Sequence, residues 1–519
     1  MNEELKSVNL HQAGSRPNRS AADNLFLLRG CIDHQKYKGK ALYLTAYDFE
    51  QAFDSLWLQD CIWSLKKLGI KSDILKLVYN LNKVAKMKIK TPYGLTDTSI
   101  AEDIVEQGTV LGPILCSSST AEYCETNRGV AVGTAQVSSL MFVDDTFDVS
   151  GSRKDAIESH ENAKTFGKRK KLTYSKNKCK TMVVNANKED QSPVLLYIDE
   201  VKLEEVSKIT YLGDVFNDRG NNIDLIDDRV KRGLSALVRI EAVVRETCLG
   251  IHTVNVHLLL YQSLFLSCVL FNSQAWSNLL ERDVKPLQCL QMKLLKKILD
   301  VPKSTANSFT CLEFGVLPIK YEIHKNQLMF LHHILNLHAE DPVRVMLHNM
   351  KLLSGEKNWW KGVESLLKKY GVNEDDATKS KMVFRTIVGK SIGQVAFKEL
   401  TDECKSKNKT KYLRYKELKR KEYLTYLYPS QAKTIFQCRS KTLDIKDHRS
   451  YKYDDRVCRG CKIMEEDLNH VVNCGYSQNI DVSIVDNVDD NNDLTKLKLI
   501  AISNRIETFI NKYSDSVYD

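Results

Sequence analysis

Apolar residues in the first part of the chain come in short runs rather than long stretches. Residues 41–47 (ALYLTAY) have the length and density of a buried strand, and they deliver Asp48 at their end. Residues 138–143 and 146–149 are two further runs that meet at Asp144-Asp145, the pattern of a hairpin with acids at its tip. Ahead of them Gly14, Pro17 and Asn18 break the chain, and Ser20 or Asp23 can cap a helix through Leu25, Leu28 and Ile32. Residues 57–68 have helical spacing, which residues 74–81 continue. Residues 86–90 (KMKIK) alternate as a strand, and Pro92, Tyr93 and Gly94 supply a turn towards a second one. Gly108 and Pro113 flank the next helix start, residues 156–166 read as a helix, and residues 182–184, 194–198 and 209–212 as strands. After about Asp224 strand signals fade. Leu-rich helical runs then continue to Tyr428, with loops expected at 355–360 and 373–376. The remainder is polar and Cys-bearing, with an acidic stretch at 479–493 and a short closing helix.

Composition changes this picture little. With 43% hydrophobic and 27% charged residues, the 519-residue chain is ordinary globular material. The net charge of +10 suits a polyanionic partner but is modest for the length. Residues 1–11 have no apolar core, so no secretory leader is expected, and the 14 Cys are expected as reduced thiols or metal ligands rather than as a disulfide framework. Residues 247–280 contain no Asp, Glu, Lys or Arg. Their densest apolar part, 258–271, is interrupted by polar residues and too short for a membrane span, so a buried helix is expected there.

The candidate chemistry lies in Asp48, Asp144 and Asp145. Carboxylates on adjacent strand ends are what a pair of octahedral, oxygen-loving cations requires. Such a pair serves templated nucleotide addition, one ion activating a hydroxyl and the other holding a triphosphate. An Asp-Asp dipeptide taken alone is equally compatible with a solvated turn.

The surrounding motifs narrow the choice. Gln12-Ala13-Gly14-Ser15-Arg16-Pro17 with Ser20 and Asp23 resembles the QxGFRxxxSxxD segment of non-LTR retrotransposon reverse transcriptases (LINE, jockey and relatives), with Ser15 in place of Phe. Asp48 through Asp54 (DFEQAFD), Gln107 through Pro113 (QGTVLGP), Phe142-Val143-Asp144-Asp145, the Lys-bearing stretch 172–180 and Tyr211-Leu212-Gly213 resemble that family's later motifs, in its order. More loosely, 260–276 resembles its thumb helix and 312–318 its LExGxxP segment.

The resemblance implies an α+β fold: a right-hand polymerase palm of antiparallel sheet with packed helices, a helical thumb and a C-terminal helical region with a small zinc knuckle. It divides the chain into partial fingers (1–40), palm (41–222), thumb and connector (223–430), a Cys/His segment (431–478) and an acidic tail with a short helix (479–519). It implies an RNA-directed DNA polymerase that transfers dNTPs to a primer 3′-hydroxyl on an RNA template, with a DNA primer or target as partner and no membrane. Asp48, Asp144 and Asp145 would hold Mg2+ or Mn2+. Phe49 would lend its carbonyl, and Phe53 would lie under the sugar and exclude a 2′-hydroxyl, unless it is plain core. Gln107 and Gly108 would shape the templating pocket. Lys178 would contact phosphate or protonate pyrophosphate, in competition with Lys176 and Lys180. Arg16 and Arg19 are candidates for template phosphates or for plain surface, and Asp54 for bracing a helix start.

Cys458, Cys461, His470 and Cys474, spaced C-x2-C-x8-H-x3-C, have the ligand types of a structural Zn2+ site, with coincidence among many Cys as the rival. The basic residues before them, interleaved with Tyr451 and Tyr453, suit nucleic-acid contact or core packing. The family's usual endonuclease domain and complete fingers are missing, and Glu106 stands where a basic or polar residue is usual. A truncated element copy is therefore expected, inside the cell in nucleus or cytoplasm. The alternative is an inactive or domesticated nucleic-acid-binding remnant.

Overall fold

The computed structural model describes residues 11–102, 105–106, 108–125, 127–186, 194–247, 250–353, 355–486, 488 and 492–513. Helix α1 (Ala21–Tyr37) opens at Ser20, whose amide donates to the Asp23 carboxylate at 2.9 Å. β1 (Leu42–Tyr47), α2 (Ala52–Ser55), α3 (Leu58–Lys67) and α4 (Ser72–Asn82) follow. The helical spacing that runs on from 57–68 into 74–81 is broken between α3 and α4. Gly69 adopts φ +86°, a left-handed stop that a residue without Cβ tolerates.

β2 (Val84–Met87), β3 (Lys90–Thr91), β4 (Gly94–Leu95) and β5 (Ser99–Glu102) make an arm of two stacked hairpin pairings, β2 with β5 and β3 with β4. Then come α5 (Leu111–Thr120), the hairpin β6 (Val130–Val132) and β7 (Ala135–Val137), and the pair β8 (Ser139–Phe142) and β9 (Asp145–Ser150). α6 (Arg153–Lys170) leads to β10 (Lys180–Val184), β11 (Tyr197–Ile198), β12 (Val201–Lys202), β13 (Glu204–Glu205), β14 (Lys208–Tyr211) and β15 (Asp214–Asn217). Of the strand expected at 194–198 only β11 forms. Leu196 spends its carbonyl on the Leu203 amide, in a local turn.

The central sheet has the order β13-β10-β1-β9-β8, antiparallel except for β10 with β13. Its faces follow the alternation of β1. Leu42 and Leu44 join α1 residues Leu25, Phe26 and Leu28 in one core, while Tyr43 and Tyr47 join Leu58, Leu65, Leu115 and Phe166 in another. β1 thus lies buried on both sides with a partner strand on each edge.

The rest is helical: α7 (Ile223–Thr247), α8 (Thr253–Leu260), α9 (Ser267–Val269), α10 (Glu281–Ile298), α11 (Asn307–Phe314), α12 (Ile319–Leu335), α13 (Pro342–Leu352), α14 (Trp359–Tyr370), α15 (Lys381–Ser406), α16 (Tyr423–Tyr426), α17 (Pro429–Arg439), α18 (Leu468–Asn473) and α19 (Asp493–Tyr513). The charge-free region is not one buried helix. A π-helical segment (Tyr261–Leu266) joins α8 to α9. Tyr261, Phe265 and Val269 pack inside, whereas Leu259 and Phe271 are exposed. Among the described residues no helix is long and apolar enough to cross a membrane. The loop expected to reach 360 stops earlier, because Asn358 caps α14 and Trp359 stacks edge-on against Phe26 at 5.2 Å.

Two buried ion networks tie these helices down. Asp214 receives Arg29 at 3.1 Å and Arg229 at 2.5 Å, joining α1, β15 and α7. Glu313 accepts Arg439, Tyr415 and Tyr423, the first at 3.0 Å. Breaking one partner of such a pair costs about 3–5 kcal/mol.

Candidate active site

Asp48 leaves β1 as the strand ends. Its own backbone is held by the Lys-bearing segment: the Ser175 amide donates to the Asp48 carbonyl at 2.8 Å, and the Glu50 amide donates to the Thr173 carbonyl at 2.8 Å. Phe49 pairs with Tyr174 as an isolated bridge and stacks on its ring at 4.8 Å. The Phe49 side chain is therefore core.

Asp144 and Asp145 occupy the turn between β8 and β9, next to β1 in the sheet. The turn is strained. Val143 has φ +62°, a conformation that costs a β-branched residue on the order of 1–3 kcal/mol. What holds it is Gln12, fully buried. Its Oε1 accepts from the Val143 amide at 3.0 Å and from the Gly14 amide at 2.9 Å, and its Nε2 donates to the Val143 carbonyl at 3.1 Å. Thr120 of α5 donates to the same carbonyl at 3.3 Å. A Cβ on Gly14 would lie 2.2 Å from the Val143 nitrogen, so only glycine allows this approach. Behind the turn, Asn24 and Tyr211 donate to the Met141 and Leu140 carbonyls at 2.9 and 3.1 Å. Tyr211 heads the Leu212-Gly213 turn, which links β14 to β15 with both residues at positive φ.

Asp144 and Asp145 are each raised, by burial first and in part by the Asp48 charge. Burial raises the Asp144 carboxyl, aided by the Asp48 charge, and burial with Asp144 and Asp48 pushes Asp145 up to about 6. Acids whose charges disfavour one another on neighbouring strand ends suit a cation, and the all-oxygen donor set suits Mg2+ or Mn2+. Of the three candidate lysines, Lys178 alone reaches the acids, with Nζ 3.1 Å from the Asp48 carboxylate. Lys176 pairs with Asp199 and Lys180 with Glu204.

Phe53 is half-buried, and a Cβ on Gly112 would meet its ring at 3.4 Å. Phe53 therefore lies against the segment that follows Gly108, whose φ is +90°. Gln107 lies outside the described residues. Asp54 is exposed in the first turn of α2. The Arg19 side chain is not on the surface: it is buried in an ion pair with Asp341. Arg16 donates to the Gln12 carbonyl at 3.3 Å and supports the same turn.

The second cluster forms far along the chain. Cys458, Cys461, His470 and Cys474 bring three Sγ atoms and one ring nitrogen within 4.8 Å of one another. Cys458 and Cys474 sulfurs are 3.9 Å apart, and Cys461 Sγ lies 3.2 Å from His470 Nε2. Zn–S bonds of about 2.3 Å in a tetrahedron need sulfurs about 3.8 Å apart, so the donors fit zinc. The Met464 and Ile463 amides draw the Cys461 thiol down to about 6, while burial and neighbouring thiols push Cys474 up to about 12. The tight turn at Lys462 and the buried Arg459–Glu466 pair (2.8 Å) shape the loop. The candidate ligands His470 and Cys474 come from α18 and its end.

Residues 1–216 match the family model described as reverse transcriptase (RNA-dependent DNA polymerase). That match marks the segment as a reverse-transcriptase domain, the domain of a nucleotidyltransferase. It contains all three acids, Gln12 and Lys178. No curated protein matches the chain. Among solved structures, apo telomerase from Candida tropicalis aligns at 13% identity and TM-score 0.37, over 78% of this chain and 59% of that one. A form of it truncated from its C-terminal domain aligns at 13% and 0.31, over 42% and 41%. Telomerase from Candida albicans in complex with a TWJ fragment of telomeric RNA aligns at 11% and 0.30, over 68% and 55%. The chain spans between 41% and 59% of these relatives, and likenesses at these scores carry no weight for fold or function.

Proposed function

We propose that the chain is an RNA-directed DNA polymerase of the non-LTR retrotransposon type. It would extend a DNA primer on an RNA template with dNTPs, inside the cell in nucleus or cytoplasm. The observation that carries this reading is the meeting of Asp48, Asp144 and Asp145 on neighbouring strand ends, within a segment matching reverse transcriptases. The motif order from Gln12 to Gly213 supports the non-LTR type. In this reading residues 41–222 are a right-hand palm, 223–430 a thumb and connector, and 431–478 a zinc-bearing segment.

Divalent ions held by the three acids would supply Lewis-acid activation of the primer hydroxyl and neutralise the triphosphate. The chain's own residues do the positioning. Gln12 and Gly14 fix the turn that aims Asp144 and Asp145. Phe53 beside Gly112 offers a flat apolar wall where a 2′-hydroxyl would be crowded. Lys178 neutralises Asp48 before substrate arrives and can turn to the leaving phosphate afterwards. The exposed Glu106, whose carbonyl accepts from the Thr109 hydroxyl, would oppose phosphate beside the templating pocket.

Primer extension on poly(rA)/oligo(dT) with Mg2+ tests the reading. Synthesis is expected from the intact chain and none from Asp144→Asn with Asp145→Asn. Synthesis that survives this pair of substitutions sinks the site assignment.

A further inference from the structure

The arm built from β2 to β5 takes no part in the site just described, yet its surface is unusual. Tyr93 at its tip is wholly exposed, and Ile89, Leu95 and Ile100 are 69%, 66% and 64% exposed. Among these stand Lys86, Lys88 and Lys90, with Lys83 just before the arm at the end of α4 and over the Tyr79 ring, all exposed, against only Asp97 and Glu102 on the described part of the arm. Among the described residues no carboxylate lies within ion-pair distance of any of the four lysines, and the Tyr93 ring has no aromatic or cationic neighbour. Elsewhere on this protein, lysines are commonly paired, as Lys164, Lys297 and Lys361 are.

Two-stranded pairing sets the register of the arm. Lys86 stands opposite Ile100, and Lys90 opposite Leu95. The Thr96 hydroxyl and amide lock Ile89 between them at 2.9 and 3.0 Å. Lys86 lies in β2 and Lys90 in β3, with Lys88 in the two-residue break between them, so three exposed cations without a carboxylate partner among the described residues follow one another within five residues of chain. The arm is rooted beside the site. Ala85 is buried at its base, the chain enters from α4 and leaves through buried Val105 into α5, and α5 braces the Val143 turn through Thr120.

We propose that this arm binds single-stranded nucleic acid, the three lysines taking the backbone phosphates and Tyr93 stacking on a base. Resting on the polymerase reading, the strand is the unpaired part of the template. Charge complementarity selects this occupant over a protein partner, because an apolar protein surface would leave four desolvated lysines without counter-charge.

Fluorescence anisotropy without dNTP, on the full chain, tests this. One probe is an RNA/DNA hybrid with an unpaired 5′ template overhang, and the other is the same hybrid made blunt. Lys86→Ala with Lys88→Ala and Lys90→Ala is expected to weaken overhang binding about tenfold. It should flatten the log–log salt slope by about 2, three contacts at about 0.7 each, and spare the blunt hybrid. Tyr93→Ala is expected to weaken overhang binding about fivefold or more, with Tyr93→Phe restoring it. These side chains are exposed, so unchanged thermal unfolding is expected. Wild-type affinity and slope in the triple variant, or equal losses on both probes, overturn the proposal. So does a change in self-association by light scattering with overhang binding intact. A chain that binds the overhang through the arm but incorporates no nucleotide leaves this inference standing and removes the polymerase reading instead.

Discussion

The Gln12 side chain grips both ends of Val143, accepting from its amide at 3.0 Å and donating to its carbonyl at 3.1 Å. The residue so gripped has φ +62° and immediately precedes two of the three acids. Gln12→Ala leaves two buried backbone groups short of a partner, at about 1–3 kcal/mol each, and lets the turn relax. Loss of incorporation by about tenfold to a hundredfold is expected, with the chain still folded by circular dichroism. Gln12→Glu keeps the acceptor and loses the donor, so an intermediate loss is expected. Equal rates in all three proteins would remove Gln12 from the positioning of the turn.

Lys178 and Asp48 form a half-exposed pair, worth at most about 1 kcal/mol in stability. Its consequence is kinetic. Lys178→Met frees the Asp48 carboxylate, so half-saturation by Mg2+ is expected to fall severalfold. The maximal rate should fall about tenfold if the lysine serves the leaving phosphate. A metal titration that separates these two quantities decides. A lower rate with unchanged metal dependence leaves only the phosphate role, and no change in either leaves a surface ion pair.

The strand-end acids, the capped helix α1 and the Cys/His spacing could be read from local sequence, because each depends on residues a few positions apart. The Gln12 grip could not: it joins positions 131 residues apart, and nothing beside Gln12 marks a turn partner. The same distance effect hides the Arg19–Asp341 pair, and Arg19 by itself is compatible with template phosphates or plain surface. Three lysines within five residues are equivalent by sequence, and only the turn geometry turns Lys178 towards the acids. The charge-free stretch misleads by composition, since its exposed positions carry uncharged polar residues such as Gln262, Ser263 and Ser267 beside Leu259 and Phe271.

Asp148 lies in the sheet behind the candidate site, accepting from Tyr123 at 2.6 Å and Ser139 at 2.7 Å. Burial pushes its carboxyl up to about 7 from an ordinary 3.8. The folded state thus holds this proton more tightly than the unfolded chain does. The group's stabilising contribution is complete below the unfolded value and is lost as pH rises through the folded one. Relative to Asp148→Asn, the wild-type chain is expected to gain roughly 1 kcal/mol per pH unit as pH falls from 7 to 5, and nothing between 8 and 9. Urea denaturation of both proteins at those pH values checks this. A difference independent of pH would mean that Asp148 ionises normally in the folded chain.

Metal at the Cys/His cluster would act on folding rather than on chemistry. The cluster's loop packs onto the last helix: a Cβ at Gly460 would meet Phe509 and Tyr513 at 3.1 and 3.2 Å. Cys458, Val471 and Val472 belong to the same core as Leu499, Ile502 and Ile506 of α19. Without an ion, thiols crowded within 4.8 Å must share protons; with one, they are joined as thiolates. About one zinc per chain is expected in the purified protein. Cys461→Ser with Cys474→Ser should abolish it, and a zinc-selective chelator should lower the unfolding temperature of the wild type but not of that variant. Protease cleavage around residues 455–475 should accelerate in parallel, while residues 41–222 stay protected. Absence of zinc from protein prepared with zinc present, or chelator-induced unfolding that persists in the double variant, would leave the cluster without a structural metal.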